Sequence, residues 1–133
     1  MFEDLIGVPC ANNGRNIKTG VDCYGLCMEV YRRYGQKIPE YYAEYNDMKR
    51  INEIVQHEAQ SALWQEVDKE HLPVPCLMAI RFGSPQGVVN HTGVYIGEGR
   101  FIHIRENIGV CIDRIDSPSW RRVIVGFYKY VGG

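Results

Sequence analysis

The sequence lacks an excess of either charge. Its 133 residues include 15 Lys plus Arg and 16 Asp plus Glu, which gives a formal net charge of -1 at pH 7. A protein that binds nucleic acid chiefly through the phosphates needs a surplus of positive charge on its surface. We therefore do not expect nucleic acid as a partner.

Long hydrophobic runs are also absent. No apolar stretch approaches the about 20 residues that a membrane-spanning helix requires, so no contact with a membrane is expected. Residues 1–7 carry acidic side chains where a secretion signal would carry basic ones. The sequence thus predicts a protein that stays in the cytoplasm of the cell that makes it.

The five cysteines lack the spacing of a disulfide framework or a zinc ribbon. Their number is odd, their spacing is irregular, and no Cys-x-x-Cys pair occurs. A metal site is chemically possible but has no short-range pair of ligands to support it, and its ligands would be Cys23, His91, His103 and Cys111. We expect reduced thiols, no bound metal and no cofactor.

The composition is otherwise that of an ordinary globular protein, with 45% hydrophobic and 23% charged residues. The length suits one domain. Apolar residues follow a helical period in the first half of the chain and form strand-like runs in the second half. We predict a single α+β domain over residues 1–133, with a mostly antiparallel sheet.

The first half contains one well-defined helix signal. Asp22 is placed to cap a helix that ends at Gly35, and the apolar stripe of that helix consists of Cys23, Leu26, Cys27, Val30, Tyr31 and Tyr34. Residues 8–21, rich in Gly and Asn, predict a loop without a regular element. Residues 41–67 predict one surface helix or two shorter ones. Three tyrosines there have the spacing of core residues but could instead line a ligand groove: Tyr41, Tyr42 and Tyr45.

The second half of the sequence predicts five β-strands. Runs of β-forming residues predict strands at residues 76–82, 92–96, 101–104, 110–115 and 123–130. The sequence Gly-Glu-Gly-Arg at residues 97–100 predicts a hairpin turn between the second and third of these.

Cys23 is a candidate nucleophile because it directly follows the helix cap. Free N–H groups and the helix dipole at this position favour thiolate over thiol, and a histidine partner would lower the thiol pKa further from its usual value of about 8.5. Cys23 also begins the apolar stripe, and free cysteines are often buried and inert. Packing without chemistry is therefore the alternative for this residue.

Two of the four histidines are candidate partners for Cys23. His57 and His71 lie in the charged region and are expected to face solvent, whereas His91 and His103 lie on the predicted hairpin. Simple pairing across the turn would place His103 opposite Val94, about 10 Å along the ladder from His91 at about 3.3 Å per residue. Contact between the two rings would need a bulge or a register shift, so Asn90 remains an alternative partner for His91.

Three motifs resemble the NlpC/P60 family of papain-like cysteine peptidases. The run Asp-Cys-Tyr-Gly-Leu at residues 22–26 resembles the Asp-Cys-Ser-Gly-Leu signature of that family. Residues 91–97 resemble its His-Val-Gly-Ile-Tyr-Leu-Gly segment, and residues 101–103 are similar to its Phe-Ile-His stretch. The three motifs occur in the family's order and the likeness extends over nearly the whole chain.

Within the family, the sequence is more similar to members from bacteriophage tails and prophages. Gly-Arg-Asn at residues 14–16, Val-Tyr-Arg at 30–32 and Ile-Pro-Glu-Tyr at 38–41 resemble the Gly-Arg-Asp, Val-Tyr-Arg and Leu-Pro-Asp-Tyr segments of those members. This resemblance implies phage tail proteins as possible partners and the virion tail as a possible location.

The family resemblance implies a minimal papain-like domain, in which a catalytic helix packs on a five- to six-stranded sheet. It also implies that Cys23 attacks a peptide carbonyl, that His91 holds the thiolate as an ion pair and protonates the leaving amine, and that His103 orients His91. The Cys23 backbone N–H would stabilise the oxyanion. The residues implied in substrate binding are Cys10, which stands where the family usually has tyrosine, Asp22, Tyr24 and Asn90.

The implied reaction is hydrolysis of the γ-D-glutamyl to diamino-acid bond in the stem peptide of peptidoglycan. Two alternatives remain open at this level. The chain could be a tail assembly or binding protein with weak or no hydrolysis, or it could apply the same Cys-His chemistry as an amidase, deamidase or acyltransferase on another substrate.

Overall fold

The structure, a computed structural model, describes residues 1–44 and 46–132. Tyr45, one of the three candidate groove tyrosines, lies outside these residues. The elements in chain order are β1 (Arg15–Asn16), β2 (Gly20–Val21), α1 (Cys23–Arg33), α2 (Met48–Ala59), β3 (Trp64–Val67), β4 (Cys76–Ile80), β5 (His91–Gly97), β6 (Arg100–Arg105), β7 (Gly109–Arg114) and β8 (Ile124–Tyr130).

Strands β3 to β8 form one six-stranded sheet in the order β3-β8-β4-β5-β6-β7. Every neighbouring pair in this sheet is antiparallel. Helix α1 packs on its central part, against β5 and β6. The prediction of an α+β fold with a mostly antiparallel sheet is confirmed.

Helix α1 begins and ends where the sequence predicts. The Asp22 carboxylate caps the helix by accepting a hydrogen bond from the backbone N–H of Gly25 at 2.6 Å. The chain leaves the helix through Gly35, whose φ of +82° is in the left-handed region that favours glycine. The stripe includes the fully buried side chains of Leu26, Val30 and Tyr31, which fix the helix to the sheet.

The prediction for residues 41–67 is partly wrong. A single helix, α2, occupies Met48–Ala59, but Trp64–Val67 forms the edge strand β3, which pairs with β8. Only Trp64 in this strand is buried, while Gln65 and Glu66 are exposed. So short an edge strand has no extended alternation of apolar and polar residues to distinguish it from a surface helix.

The loop predicted at residues 8–21 contains a small regular element. Strands β1 and β2 are two residues each and pair with Arg15 opposite Val21. A Cβ at Gly25 would collide with the carbonyl oxygen of Gly14, so glycine at this position lets the loop lie directly on the first turn of α1. The loop therefore covers the helix end that carries Cys23.

The hairpin of β5 and β6 turns at Glu98 and Gly99, which both have positive φ values. A β-bulge lies between Tyr95 and Gly97, next to this turn.

In the part of the chain that the structure describes, no helix is long and apolar enough to cross a membrane.

Candidate functional site

Cys23 lies at the first position of α1, on the wall of a cavity of about 520 Å³. Its side chain is half-buried. Arg15 donates a hydrogen bond to the Asp22 carboxylate at 2.7 Å, which holds the cap in place next to the thiol. Hydrogen bonds with Thr92 favour the thiolate form of Cys23, so the sulfur lies beside the start of β5. His91, the residue before Thr92, lines the same cavity.

His91 and His103 are in direct contact, with 3.0 Å between His91 Nε2 and His103 Nδ1. The separation of about 10 Å expected from simple pairing is therefore wrong. The bulge shifts the register by one residue, so that Val94 pairs with Ile102 and the position opposite His103 is Gly93 rather than Val94. Residues 91 and 93 lie on the same face of β5, and Gly93 has no side chain to separate the two rings.

Beyond the contact between the two histidines, His103 also contacts a carboxylate on β7. His103 Nε2 lies 2.8 Å from Oδ2 of Asp113. An ionised carboxylate only accepts hydrogen bonds, so the His103 proton is on Nε2 and His103 Nδ1 accepts from His91 Nε2–H. His91 Nδ1 then carries the free lone pair. The order Asp113, His103, His91 thus prepares one specific nitrogen of His91 to take a proton.

Aromatic rings surround this chain of hydrogen bonds. Phe101 stacks on His103 with ring centroids 4.6 Å apart, and Trp120 meets the same ring edge-on at 4.6 Å. Phe82 packs on His91 at 5.6 Å. His103 is fully buried and His91 is 7% exposed. These contacts exclude water from the two imidazoles and hold their orientation.

Burial decides the protonation states of the site. Desolvation, and after it the nearby His103 and Arg105, lower the pKa of His91 to about 3. Burial also lowers the pKa of His103, against the opposing effect of Asp113. Burial raises the pKa of the Cys23 thiol, although hydrogen bonds with Thr92 act in the other direction. Both shifts favour a neutral thiol and a neutral imidazole over the thiolate expected from the helix start.

All four residues predicted to bind substrate line the cavity: Cys10, Asp22, Tyr24 and Asn90. Three of them have structural bonds as well, and those of Asp22 are the helix cap and the contact with Arg15 described above. The Tyr24 hydroxyl donates to the carbonyl oxygen of Pro39 at 2.5 Å. The Asn90 amide accepts from Phe82 N–H at 2.7 Å and donates to Phe82 O at 2.9 Å, so Asn90 holds the loop after β4. The ring in hydrogen-bond contact with His91 is that of His103.

The lining of the cavity is mostly apolar, with a few acidic side chains. Tyr41 and Tyr42 line the cavity outside any helix, and that this cavity binds a ligand stays a prediction. The apolar side of α2 supplies Ile51, Ile54 and Val55. Its charged lining residues, among those the structure describes, are all acidic: Asp22, Glu58 and Glu106. Arg15 forms an ion pair with Asp22, so the negative charge of this lining comes mainly from Glu58 and Glu106. Such a lining favours a ligand with both apolar surface and a positive group.

The chain's other histidines and possible metal ligands are elsewhere. His57 and His71 are exposed, as predicted. Across residues 1–44 and 46–132, one group of Cys, His and acidic side chains has its ligand atoms within 4.8 Å of one another, namely His103, Cys111 and Asp113. Cys23 and His91 are not in this group, so the structure does not assemble the metal site considered from the sequence.

Comparison with known proteins identifies the family of this chain. The profile of the NlpC/P60 family matches residues 11–129. The chain belongs to the NlpC/P60 family. A crystal structure of an NlpC/P60 family protein from Bacillus cereus superposes with a TM-score of 0.67 at 26% identity, over 96% of this chain and 37% of that one. The resemblance read from the three motifs is confirmed.

Two curated relatives have more specific names. Murein DD-endopeptidase MepS/Murein LD-carboxypeptidase from Escherichia coli is 26% identical over 110 residues, or 82% of this chain and 49% of that protein. Gamma-D-glutamyl-L-lysine dipeptidyl-peptidase from Bacillus cereus is 28% identical over 113 residues, or 84% of this chain and 29% of that protein. This NlpC/P60 chain thus spans about half the length of the first relative and less than a third of the second.

Sequence reasoning missed Asp113 in this NlpC/P60 site. His103 pairs directly with Cys111 across β6 and β7, so Asp113 is the next residue on the same face of β7. The available signal was an acidic residue inside a predicted apolar strand, two positions from the partner of a candidate catalytic histidine. Reading that signal requires the register of the second hairpin as well as the first.

Acid should destabilise the domain through the buried histidines. Because His91 titrates near pH 3 when folded and near 6.5 when unfolded, its contribution to stability is complete above pH 6.5 and is lost as the pH falls toward 3. The free energy of unfolding should fall by up to about 1.4 kcal/mol per pH unit from this group. Urea titrations at several pH values measure the slope.

The matched variants are His91→Gln and His57→Gln. His91→Gln should reduce the fall of the free energy of unfolding with decreasing pH. His57→Gln replaces an exposed histidine and should leave that fall as in the parent. An equal slope in the parent and in His91→Gln would show that His91 is not the group responsible.

Proposed function

We propose that residues 1–133 form a single catalytic domain, a cysteine peptidase that hydrolyses peptidoglycan stem peptides at the γ-D-glutamyl to diamino-acid bond. The observation that carries the proposal is the hydrogen-bonded chain from Asp113 through His103 to His91, which ends on the cavity that also exposes Cys23. Cysteine, base and orienting group are the parts that nucleophilic acyl chemistry needs.

In the proposed mechanism, Cys23 begins as a neutral thiol. His91 Nδ1 takes the thiol proton as the sulfur attacks the peptide carbonyl, and the Cys23 backbone N–H at the helix start stabilises the oxyanion. The resulting imidazolium gives its proton to the leaving amine, so that a thioester remains on Cys23. Water, deprotonated by His91, then attacks the thioester and releases the acid product and the thiol.

Proton transfer at His91 is supported by the two residues behind it. When His91 becomes charged, its Nε2–H donates to His103, whose own Nε2–H donates to Asp113. The Asp113 carboxylate therefore stabilises the imidazolium through His103 without touching substrate, and it acts as a positioning residue.

Asp113→Ala should accordingly lower kcat by a factor of about 10 to 100, less than the factor of about 10⁴ for an aspartate that holds a catalytic histidine directly. KM should change little because Asp113 does not line the cavity. Asp113→Asn keeps an acceptor for His103 and should lose less. Asp116→Ala, which removes an exposed carboxylate two residues beyond β7, is the control. A change in KM alone would contradict the positioning role.

The substrate assignment is supported by the relatives and by the cavity. The names of the relatives from Escherichia coli and Bacillus cereus refer to murein and to a γ-D-glutamyl-L-lysine bond. The cavity, at about 520 Å³, lies in the usual range for a small-ligand site. Its acidic side chains complement the amino groups of a stem peptide.

We further propose that the protein works in a bacteriophage tail, with other tail proteins as partners. The support is the likeness of residues 14–16, 30–32 and 38–41 to phage-type members of the family. Immunogold labelling of phage particles released by the cells that produce this protein tests this proposal. Label on the tails is expected, and its confinement to bacterial cells would contradict it.

The enzymatic proposal is tested by digesting a synthetic stem peptide and identifying the products by mass. We expect two fragments that together have the mass of the peptide plus one water, with the new carboxyl on the γ-glutamyl side. A peptide of the same composition with an α-linked L-glutamate is the control and should stay intact. Release of ammonia without chain cleavage would indicate an amidase instead, and binding without any product would indicate a tail-binding role.

A further inference from the structure

Behind the two histidines, three potential metal ligands meet on β6 and β7. They are Nε2 of His103, Sγ of Cys111 and Oδ2 of Asp113. The sulfur lies 3.6 Å from the nitrogen and 3.9 Å from the oxygen, and the nitrogen lies 2.8 Å from the oxygen. His103 is fully buried, but Cys111 is half-buried and the Asp113 side chain is 34% exposed, so the cluster is open to solvent on one side.

These separations are close to those of a tetrahedral zinc site. Zinc bound at about 2.0 Å from oxygen, 2.1 Å from nitrogen and 2.3 Å from sulfur holds such atoms about 3.3 to 3.6 Å apart. The nitrogen-to-sulfur distance already fits. The other two require movements of about 0.5 Å by half-buried side chains, and the exposed side leaves a fourth position for water.

We propose that His103, Cys111 and Asp113 form a binding site for a zinc-class divalent metal that switches the peptidase off. The binding part stands on the cluster alone, and the inhibitory part rests on the proposed function. Thiolate and imidazole ligands favour zinc over magnesium or calcium, which prefer oxygen. Cys111 neither lines the cavity nor takes part in the proton transfer, so this site would give a role to a thiol that the reaction leaves unused.

Metal binding would reverse the hydrogen bond between the two histidines. The metal takes the lone pair of His103 Nε2, so this nitrogen loses its proton and His103 keeps one on Nδ1. That proton comes from His91 Nε2. His103 Nε2 releases its own proton to solvent, and His91 Nδ1 takes one up from solvent. The two imidazoles hold two protons before and after, while the Cys111 thiol releases its own proton to solvent and binds as thiolate.

This rearrangement explains why the enzyme would be inhibited without contact between metal and substrate. His91 Nδ1, which should accept the proton of Cys23, now carries a proton of its own. The metal also replaces Asp113 as the group behind His103, and its positive charge disfavours the imidazolium that forms during the reaction. The cavity and Cys23 themselves stay unchanged.

The binding part is tested with Co²⁺ as a spectroscopic probe of the zinc site. The experiment uses the full chain with Cys23→Ala, so that the nucleophile cannot contribute a thiolate. We expect a thiolate-to-cobalt absorption band that Zn²⁺ displaces. Adding Cys111→Ser should remove the band and weaken Zn²⁺ binding by a factor of at least about 10 to 100. Adding Cys10→Ser instead, at another half-buried thiol, should leave both as before.

The inhibitory part is tested by Zn²⁺ titration of peptide hydrolysis. Zn²⁺ should inhibit the parent, whereas Cys111→Ser and Cys111→Ala should keep the basal activity and require at least about 10-fold more Zn²⁺. Equal inhibition of parent and variants, or a cobalt band that survives in Cys111→Ser, would overturn the proposal. A parent that is inactive without metal would contradict the proposed function, and the cobalt band would still decide the site.

Discussion

Cys23→Ala is expected to abolish hydrolysis of the stem peptide while leaving the fold intact. The variant removes the sulfur that attacks the carbonyl. Among the described residues, the one other thiol that lines the cavity is that of Cys10, which lies outside α1. Alanine is a good helix former at the first turn, and Cys23 is only half-buried. The free energy of unfolding should therefore change by less than about 1 kcal/mol.

The matched control for this variant is Cys111→Ala, which removes a half-buried thiol outside the cavity and should keep full activity without added metal. Activity is measured as fragment release from the γ-linked peptide, and folding by urea titration. Fragment release by a folded Cys23→Ala protein would rule out Cys23 as the nucleophile.

His91→Ala is expected to lower kcat by a factor of about 10² to 10⁴, the usual contribution of a positioned acid and base. The substitution removes both the acceptor for the thiol proton and the donor for the leaving amine. Because His91 accepts the thiol proton, its removal should also slow alkylation of Cys23 by iodoacetamide at neutral pH. Binding of the peptide depends on the rest of the cavity, so KM should change less than kcat.

His57→Ala and His71→Ala are the controls, because both histidines are exposed. The alkylation rate of each cysteine can be followed against pH by mass spectrometry. In the parent, the midpoint for Cys23 should lie above the usual thiol value, since burial raises its pKa. A plateau of fast alkylation at acidic pH would instead show a preformed thiolate and imidazolium pair.

Several features of this protein follow from local sequence. Asp22 accepts from an N–H three residues away, and Gly35 reverses the chain after the helix, so both ends of α1 depend on near neighbours. The turn at Glu98 and Gly99 is equally local. The positions of Cys23, His91 and His103 in three ordered motifs were sufficient to predict the family and the fold.

The tertiary structure decided the features that depend on register and burial. A single bulge moves Gly93 opposite His103 and converts a predicted gap of about 10 Å into a hydrogen bond of 3.0 Å. The pairing of β6 with β7 then brings in Asp113, and the pairing of β3 with β8 makes a strand of Trp64–Val67, where the sequence predicts helix.

The electrostatics of the site depend on the structure in the same way. The helix start alone predicts a lowered pKa for Cys23, whereas desolvation by the surrounding chain raises the pKa of that thiol and lowers the pKa of His91. Caps, turns and periodicity are set by residues close in sequence and can be read there. Register and desolvation are sums over residues far apart in the chain, so only the folded structure determines them.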